Sequence, residues 1–264
     1  MTNFSELPLV FFTTFSQIAI GAYATLYLLG RNNHVGEKTI MLTAKLVVVL
    51  MALAMAGAST HLGDPMGGWR ALLGLAHSWL SREILLMGAF LGLAFLYALP
   101  QLKGYRHCLG FCGSAAGVLG IVVTAMVYTL PARPAWDTVY PLLFFGMTAL
   151  TAGPLLVSVV SAELEGKMCN VGLQLTRVML LLGLLITVSY PLTQGNHLAM
   201  PSIWLAVRCL IGQVIPWFML QRQLAGGQPV AKALLWTLLL VVLGELIGHQ
   251  LFYESVVPYP LFPA

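Results

Sequence analysis

Eight apolar runs dominate this sequence and decide what it can fold into. Each approaches the ~20 residues that a helix needs to cross a hydrocarbon layer. They fall at roughly 8–29, 40–61, 82–100, 107–129, 138–161, 172–192, 201–221 and 231–253. Inside lipid a backbone must satisfy its own hydrogen bonds, so such runs become helices. Only 8% of the 264 residues are charged, against about 25% in a soluble domain, so a water-soluble surface cannot be made. The expected fold is all-α: a polytopic membrane protein, a bundle of eight transmembrane helices in a single domain over 1–264. Short connections make neighbouring helices antiparallel, and Pro100, Pro131, Pro191 and Pro201 mark helix boundaries, where a missing N–H costs least.

Orientation follows from the basic residues. The connections after the first, third, fifth and seventh helices, with their flanks, carry Arg31, Lys38, Lys45, Lys103, Arg106, Lys167, Arg177, Arg222 and Lys232. The opposite side carries Arg70, Arg82 and Arg133, and Arg208 lies inside the seventh helix. Nine against three, by the positive-inside rule, places both termini and the 59–83 connection outside the cytoplasm, in the periplasm of a bacterial inner membrane. Trp69, Trp79, Trp136 and Trp204 fall near that outer boundary, where indole rings settle. No Lys or Arg precedes the first apolar run, so no cleaved secretory signal is expected. The net charge of +4 comes from basic residues scattered singly between apolar runs, a topology signal rather than a nucleic-acid one. Four scattered cysteines make no disulfide framework; Cys108 and Cys112 share a helix face and read as small packing residues.

Chemistry concentrates between Ser59 and Glu83. His61 ends the second helix, and Gly63, Asp64 and Pro65 turn the chain. Trp69, Leu72, Leu73, Ala76 and Leu80 recur at helical spacing, with Arg70, Gly74, His77 and Ser81 on another face, predicting a short interfacial helix that roofs the second and third helices. Glu83 opens the third helix just inside the membrane. Singly, each has a plain structural reading: Glu83 complements a helix N-terminus, and His61 is an interfacial residue bonded to a carbonyl. Together, two titratable groups at the ends of adjacent spans suit quinol oxidation, which releases two electrons and two protons. A neutral imidazole takes such a proton near neutrality, and a carboxylate relays it to water.

The run HLGDP, with a carboxylate 22 positions beyond the His in SREI, resembles the membrane anchor subunit of dimethyl sulfoxide reductase. Glu6-Leu7-Pro8-Leu9, Phe12-Thr13, Gln17 and Gly21 are similar too, as is the block from Pro141-Leu142 and Phe144-Phe145 to Gly153-Pro154-Leu155-Leu156. The resemblance implies an anchor that oxidises menaquinol to menaquinone, carries no haem or metal, and passes electrons to an iron–sulfur subunit. That subunit feeds a molybdopterin catalytic subunit on the periplasmic side, in anaerobic respiration. It also implies that His61 and Glu83 belong to the quinol site. Arg82 departs from the family's pattern by setting a cation next to Glu83 in sequence.

Other polar residues complete the expectations. Arg208, about two turns into the seventh helix, must find a carbonyl, carboxylate or ligand oxygen, and with Tyr128 and Arg82 it is a further quinol-binding candidate. Glu245 and His249 share a face of the eighth helix; they extend a proton path or bond to each other. Gln17 pairs with another helix, and Lys45 reaches back to the cytoplasmic surface. The proline-rich end, VVPYPLFPA, is either an extended strap against a partner or a frayed terminus. No continuous polar path to the cytoplasmic side is read, so no proton pumping is expected. Two other readings stand beside this one. A haem-b-carrying cytochrome subunit would use His61 and His249 as axial ligands. A secondary transporter would use broken helices, for which Pro154 and Pro216 are the available breaks.

Overall fold

In a computed structural model of the chain, the described residues are 6–60, 68–167, 169–195, 198, 202–226 and 230–254. They form α1 (Leu7–Arg31), α2 (Glu37–Ser59), α3 (Trp79–Ala98), α4 (Arg106–Tyr128), α5 (Tyr140–Glu165), α6 (Asn170–Gln194), α7 (Ser202–Cys209), α8 (Ile215–Gly226) and α9 (Ala231–Glu254). α7 and α8 are two parts of one span, so eight spans cross the bundle. The chain begins at the end that also holds Ser59, Trp79, Tyr128, Tyr140, Gln194 and Glu254; we call this the N-terminal end.

α1 and α5 form the axis. Of their apolar windows 78% and 72% lie inside the protein, against 28% for α2 and α3. They touch backbone to backbone, since a Cβ on Gly21 would collide with the Ala149 carbonyl and one on Gly153 would meet Gly21. Small residues are what permit such approach where lipid supplies no hydrophobic drive. α3 and α4 pack together on one side of this axis, and α6 to α9 gather on the other. At the opposite end, Glu165 of α5 completes the first turn of α2. Its carboxylate accepts from the Gly36 N–H (3.0 Å), the Thr39 N–H (3.2 Å) and the Thr39 hydroxyl (2.7 Å), an anion where a helix leaves its N–H groups unpaired.

Several expectations shift. The seventh run is broken by a π-helical segment, Leu210–Val214. Pro216 follows at once, and a residue without an N–H and with a ring crowding the preceding turn is accommodated by such widening. Gly212 in this segment lies against Gly244 of α9, where a Cβ would stand 2.6 Å from the Gly244 Cα. Pro154 leaves α5 continuous, and Pro191 lies within α6 instead of ending it. α2 ends at Ser59 rather than at His61; His61 itself, the turn to residue 67 and the tail from 255 lie outside the described residues.

The roof is a 3₁₀ helix, Gly68–Gly74, followed by a turn, rather than an amphipathic α-helix to Leu80. α3 starts earlier than expected because Ser78 caps it, its hydroxyl accepting from the Ser81 N–H at 3.3 Å. Trp69, Trp79 and Trp204 are exposed, as boundary indoles should be, but Trp136 is 6% exposed and donates to the Phe252 carbonyl at 3.1 Å. Cys108 and Cys112 are exposed on the outer face of α4 and so are not packing residues.

Candidate functional site

Glu83 is the fifth residue of α3, about 6 Å from the helix start by helix rise, and only 5% exposed. Its carboxylate oxygen accepts from the Thr124 hydroxyl of α4 at 2.6 Å, and among the described residues it has no cationic partner. Arg82, expected to stand beside it, points elsewhere. Its guanidinium donates to the Leu75 and Ala76 carbonyls (2.9 and 2.8 Å) and covers the Trp79 ring at 4.4 Å. Successive helix residues project about 100° apart, so the cation ties the roof to α3 while the carboxylate turns inward.

Tyr128 ends α4 one turn beyond Thr124 and lies within electrostatic reach of Glu83. Far from an ordinary interfacial tyrosine, it sits edge-on among Trp136, Phe145, Phe252 and Tyr253, with ring centroids 5.3 to 5.8 Å away. Edge-to-face aromatic packing of this kind is geometrically specific, and it fixes the phenol one turn from the Thr124 hydroxyl that holds Glu83.

Arg208 does not join this group. Its guanidinium lies along Gly248, where a Cβ would collide with it. It sits 3.8 Å from a Glu245 carboxylate oxygen and 5.1 Å over the Phe144 ring. Glu245 accepts from the Thr148 hydroxyl at 2.8 Å. Glu245 and His249 do not bond to each other: the same Thr148 hydroxyl lies 3.4 Å from His249 Nε2. His249 Nδ1 faces the Thr14 hydroxyl closely and that of Thr13 at 3.4 Å. Both ring nitrogens are thus engaged by threonines, and all of these residues are at most 5% exposed. Gln17, expected to pair across helices, has both amide atoms buried and without a partner among the described residues.

Thr14, Thr124 and Thr148, and the glycines of Gly244-x-x-x-Gly248, carry much of this geometry and did not stand out in the sequence. The glycine pair was readable as a close-packing signal. The threonines were not, because a helical threonine bonds its own preceding turn as readily as a neighbour.

An apolar groove of about 400 Å³ runs between α1 and α2 at the N-terminal end, lined by Leu7, Phe11, Phe15, Leu50, Leu53 and Thr60 among others. It is not under the roof, where an apolar ligand was expected, and Glu83 does not line it. Its end is Thr60, the residue before His61. Among the described residues, no three His, Cys, Asp or Glu side chains converge as a metal site.

The chain is similar to the anaerobic dimethyl sulfoxide reductase chain YnfH of Escherichia coli K12, 27% identical over 94% of each protein. It is similar to a second anaerobic dimethyl sulfoxide reductase chain of the same organism, 26% identical over 96% of this chain and 95% of that one. A shorter stretch, 31% of this chain and 30% of the relative, is 35% identical to a sulfite dehydrogenase subunit of Allochromatium vinosum. The sequence profile described as DMSO reductase anchor subunit (DmsC) matches residues 1–254. The chain, a multi-pass membrane protein, therefore belongs to the DMSO reductase anchor subunit family.

Proposed function

We propose that this anchor oxidises a quinol, menaquinol by the family resemblance, at the N-terminal end of the bundle in a bacterial inner membrane. It passes two electrons to an iron–sulfur subunit docked on that end, which feeds a molybdopterin catalytic subunit on the periplasmic side. The single observation that carries this reading is Glu83: a carboxyl group buried at the bundle end, held by one neutral hydroxyl, 22 positions beyond His61. Buried carboxyls within membrane spans are functional candidates by default.

The chain's own residues divide the work. His61 accepts the proton of one quinol hydroxyl. Glu83, oriented by Thr124, accepts the other and releases it toward the roof. Tyr128, fixed by its aromatic neighbours one turn from Thr124, shapes the wall the ring meets. The α1–α2 groove is apolar and opens to the lipid side, which suits an isoprenoid tail leading to the His61 end. Arg82 keeps the roof in place and does not act on the ring. Arg208, whose partners lie on α9 and α5, has no part in this site.

The test uses the assembled complex in its membrane. Glu83→Gln and His61→Ala are expected to abolish quinol-linked reduction of the terminal acceptor while reduction by a soluble reduced dye persists. Full quinol-linked turnover in either variant ends the assignment of that residue.

A further inference from the structure

The buried cluster around His249 is unused by the quinol site, yet it has the geometry of a proton conductor. His249 has a hydroxyl on each ring nitrogen, Thr14 with Thr13 on Nδ1 and Thr148 on Nε2. An imidazole so placed can take a proton at one nitrogen and release another from the second. On the Nε2 side, Thr148 donates onward to Glu245 at 2.8 Å, and Arg208 stands 3.8 Å beyond. On the Nδ1 side, the Tyr253 hydroxyl donates to Thr13 at 3.3 Å. Tyr253 packs against Tyr128, with ring centroids 5.3 Å apart, and Tyr128 lies one turn from Thr124, whose hydroxyl donates to Glu83. Helix rise puts Tyr253 about 2 Å and Glu245 about 14 Å from the N-terminal end, with Thr13, Thr14, His249 and Thr148 between them, so the row stays within that half of the bundle.

We propose that Tyr253, Thr13, Thr14, His249 and Thr148 form a proton relay across α9, α1 and α5 that ends on the Glu245 carboxyl beside Arg208. A proton entering at Thr13 or Thr14 passes to Nδ1. The Nε2 proton moves to the Thr148 oxygen, and the Thr148 hydroxyl proton moves to Glu245. No charge accumulates on any hydroxyl, and Arg208 balances the carboxylate between deliveries. The flanks are suited to internal water, since Gln17, Arg208 and Gln213 each bury polar atoms that have no partner among the described residues, and such atoms are ordinarily met by ordered water. In the anchor the protons arrive from the neighbourhood of Glu83. That source rests on the quinol reading; the relay itself does not.

The test therefore needs no quinol. Infrared spectroscopy of the intact protein in lipid follows the rise of deuterated buried-carboxyl bands after a jump to acid in D₂O, and a shift in Glu245→Asp identifies the Glu245 band. Thr148→Val removes the last hydroxyl, and deuteration of that band is expected to slow about tenfold, the factor for a barrier raised by one hydrogen bond. Thr148→Ser is expected to restore the rate, which a purely packing role of the threonine would not do. Thr14→Val makes the same test from the other side of His249. Exchange at the unmodified rate in both valine variants, failure of serine to rescue, or the lack of any deuterable Glu245 band overturns the relay. Loss of quinol-linked turnover in Glu83→Gln with unchanged deuteration in Thr148→Val would sink the relay and leave the quinol site standing; the reverse pattern would do the opposite.

Discussion

Two buried carboxyl groups lie near the same end of this bundle, and they are kept in different ways. Glu83, on the α3–α4 side, meets a hydroxyl and no cation among the described residues. Glu245, on the α5–α9 side, meets a hydroxyl, a guanidinium and, through Thr148, an imidazole. A neutral amide can take the first place with little disturbance, because it still accepts from Thr124. In the second place it strands a buried cation. The first arrangement suits a group that works without a counter-ion; the second keeps a carboxylate ionised beside Arg208 between proton deliveries.

The comparison breaks most visibly at the ion pair. Glu245→Gln is expected to cost about 3 to 5 kcal/mol, the usual penalty for leaving a buried charge unpaired, read as a fall in thermal stability in detergent. Arg208→Met with Glu245→Met should recover most of that loss, because a well-packed apolar pair replaces both charges. If the double variant is no better than the single, the pair is not what holds these helices. Glu83→Gln sharpens the contrast from the other side. Its unfolding midpoint should move by less than about 1 kcal/mol equivalent, since one hydrogen bond is exchanged for another. The smallest effect is expected at the roof. Arg82→Gln removes a guanidinium that bonds two carbonyls and covers Trp79, so about 1 kcal/mol of local order should go. Faster proteolysis of the 68–78 segment, with the bundle intact, is the measurement. A change in Glu83 chemistry without faster cleavage would mean that the cation acts on the carboxylate after all.

The spans were readable because lipid leaves a chain so few options: each run long and apolar enough to cross became a helix, with ends within a few residues of those expected. Individual ends moved where a side chain decided them, as at Ser78. The π-helical turn at Leu210–Val214 sets Gly212 against Gly244, a contact between residues far apart in sequence that Pro216 could not announce. Trp136 looked like a boundary residue because its position along the chain is right; that its N–H is turned inward to Phe252 is a matter of tertiary packing. Glu83 stood out because a carboxylate in an apolar run is rare. Arg208 and Glu245 stood out for the same reason, but nothing local in the sequence says that they are partners. The threonines were silent for the opposite reason, being common and able to satisfy themselves.

The carboxylate of Glu165 that completes the start of α2 has a consequence for biogenesis. Gly36 and its acceptor are 129 residues apart, so when the second span leaves the ribosome its first turn lacks this anion. The early hairpin must wait in the bilayer until the fifth span is delivered, and only then is its entry point fastened. A nascent chain halted before residue 165 should hold α1 and α2 in the membrane with the 32–38 connection still open to cleavage, and elongation past that point should close it.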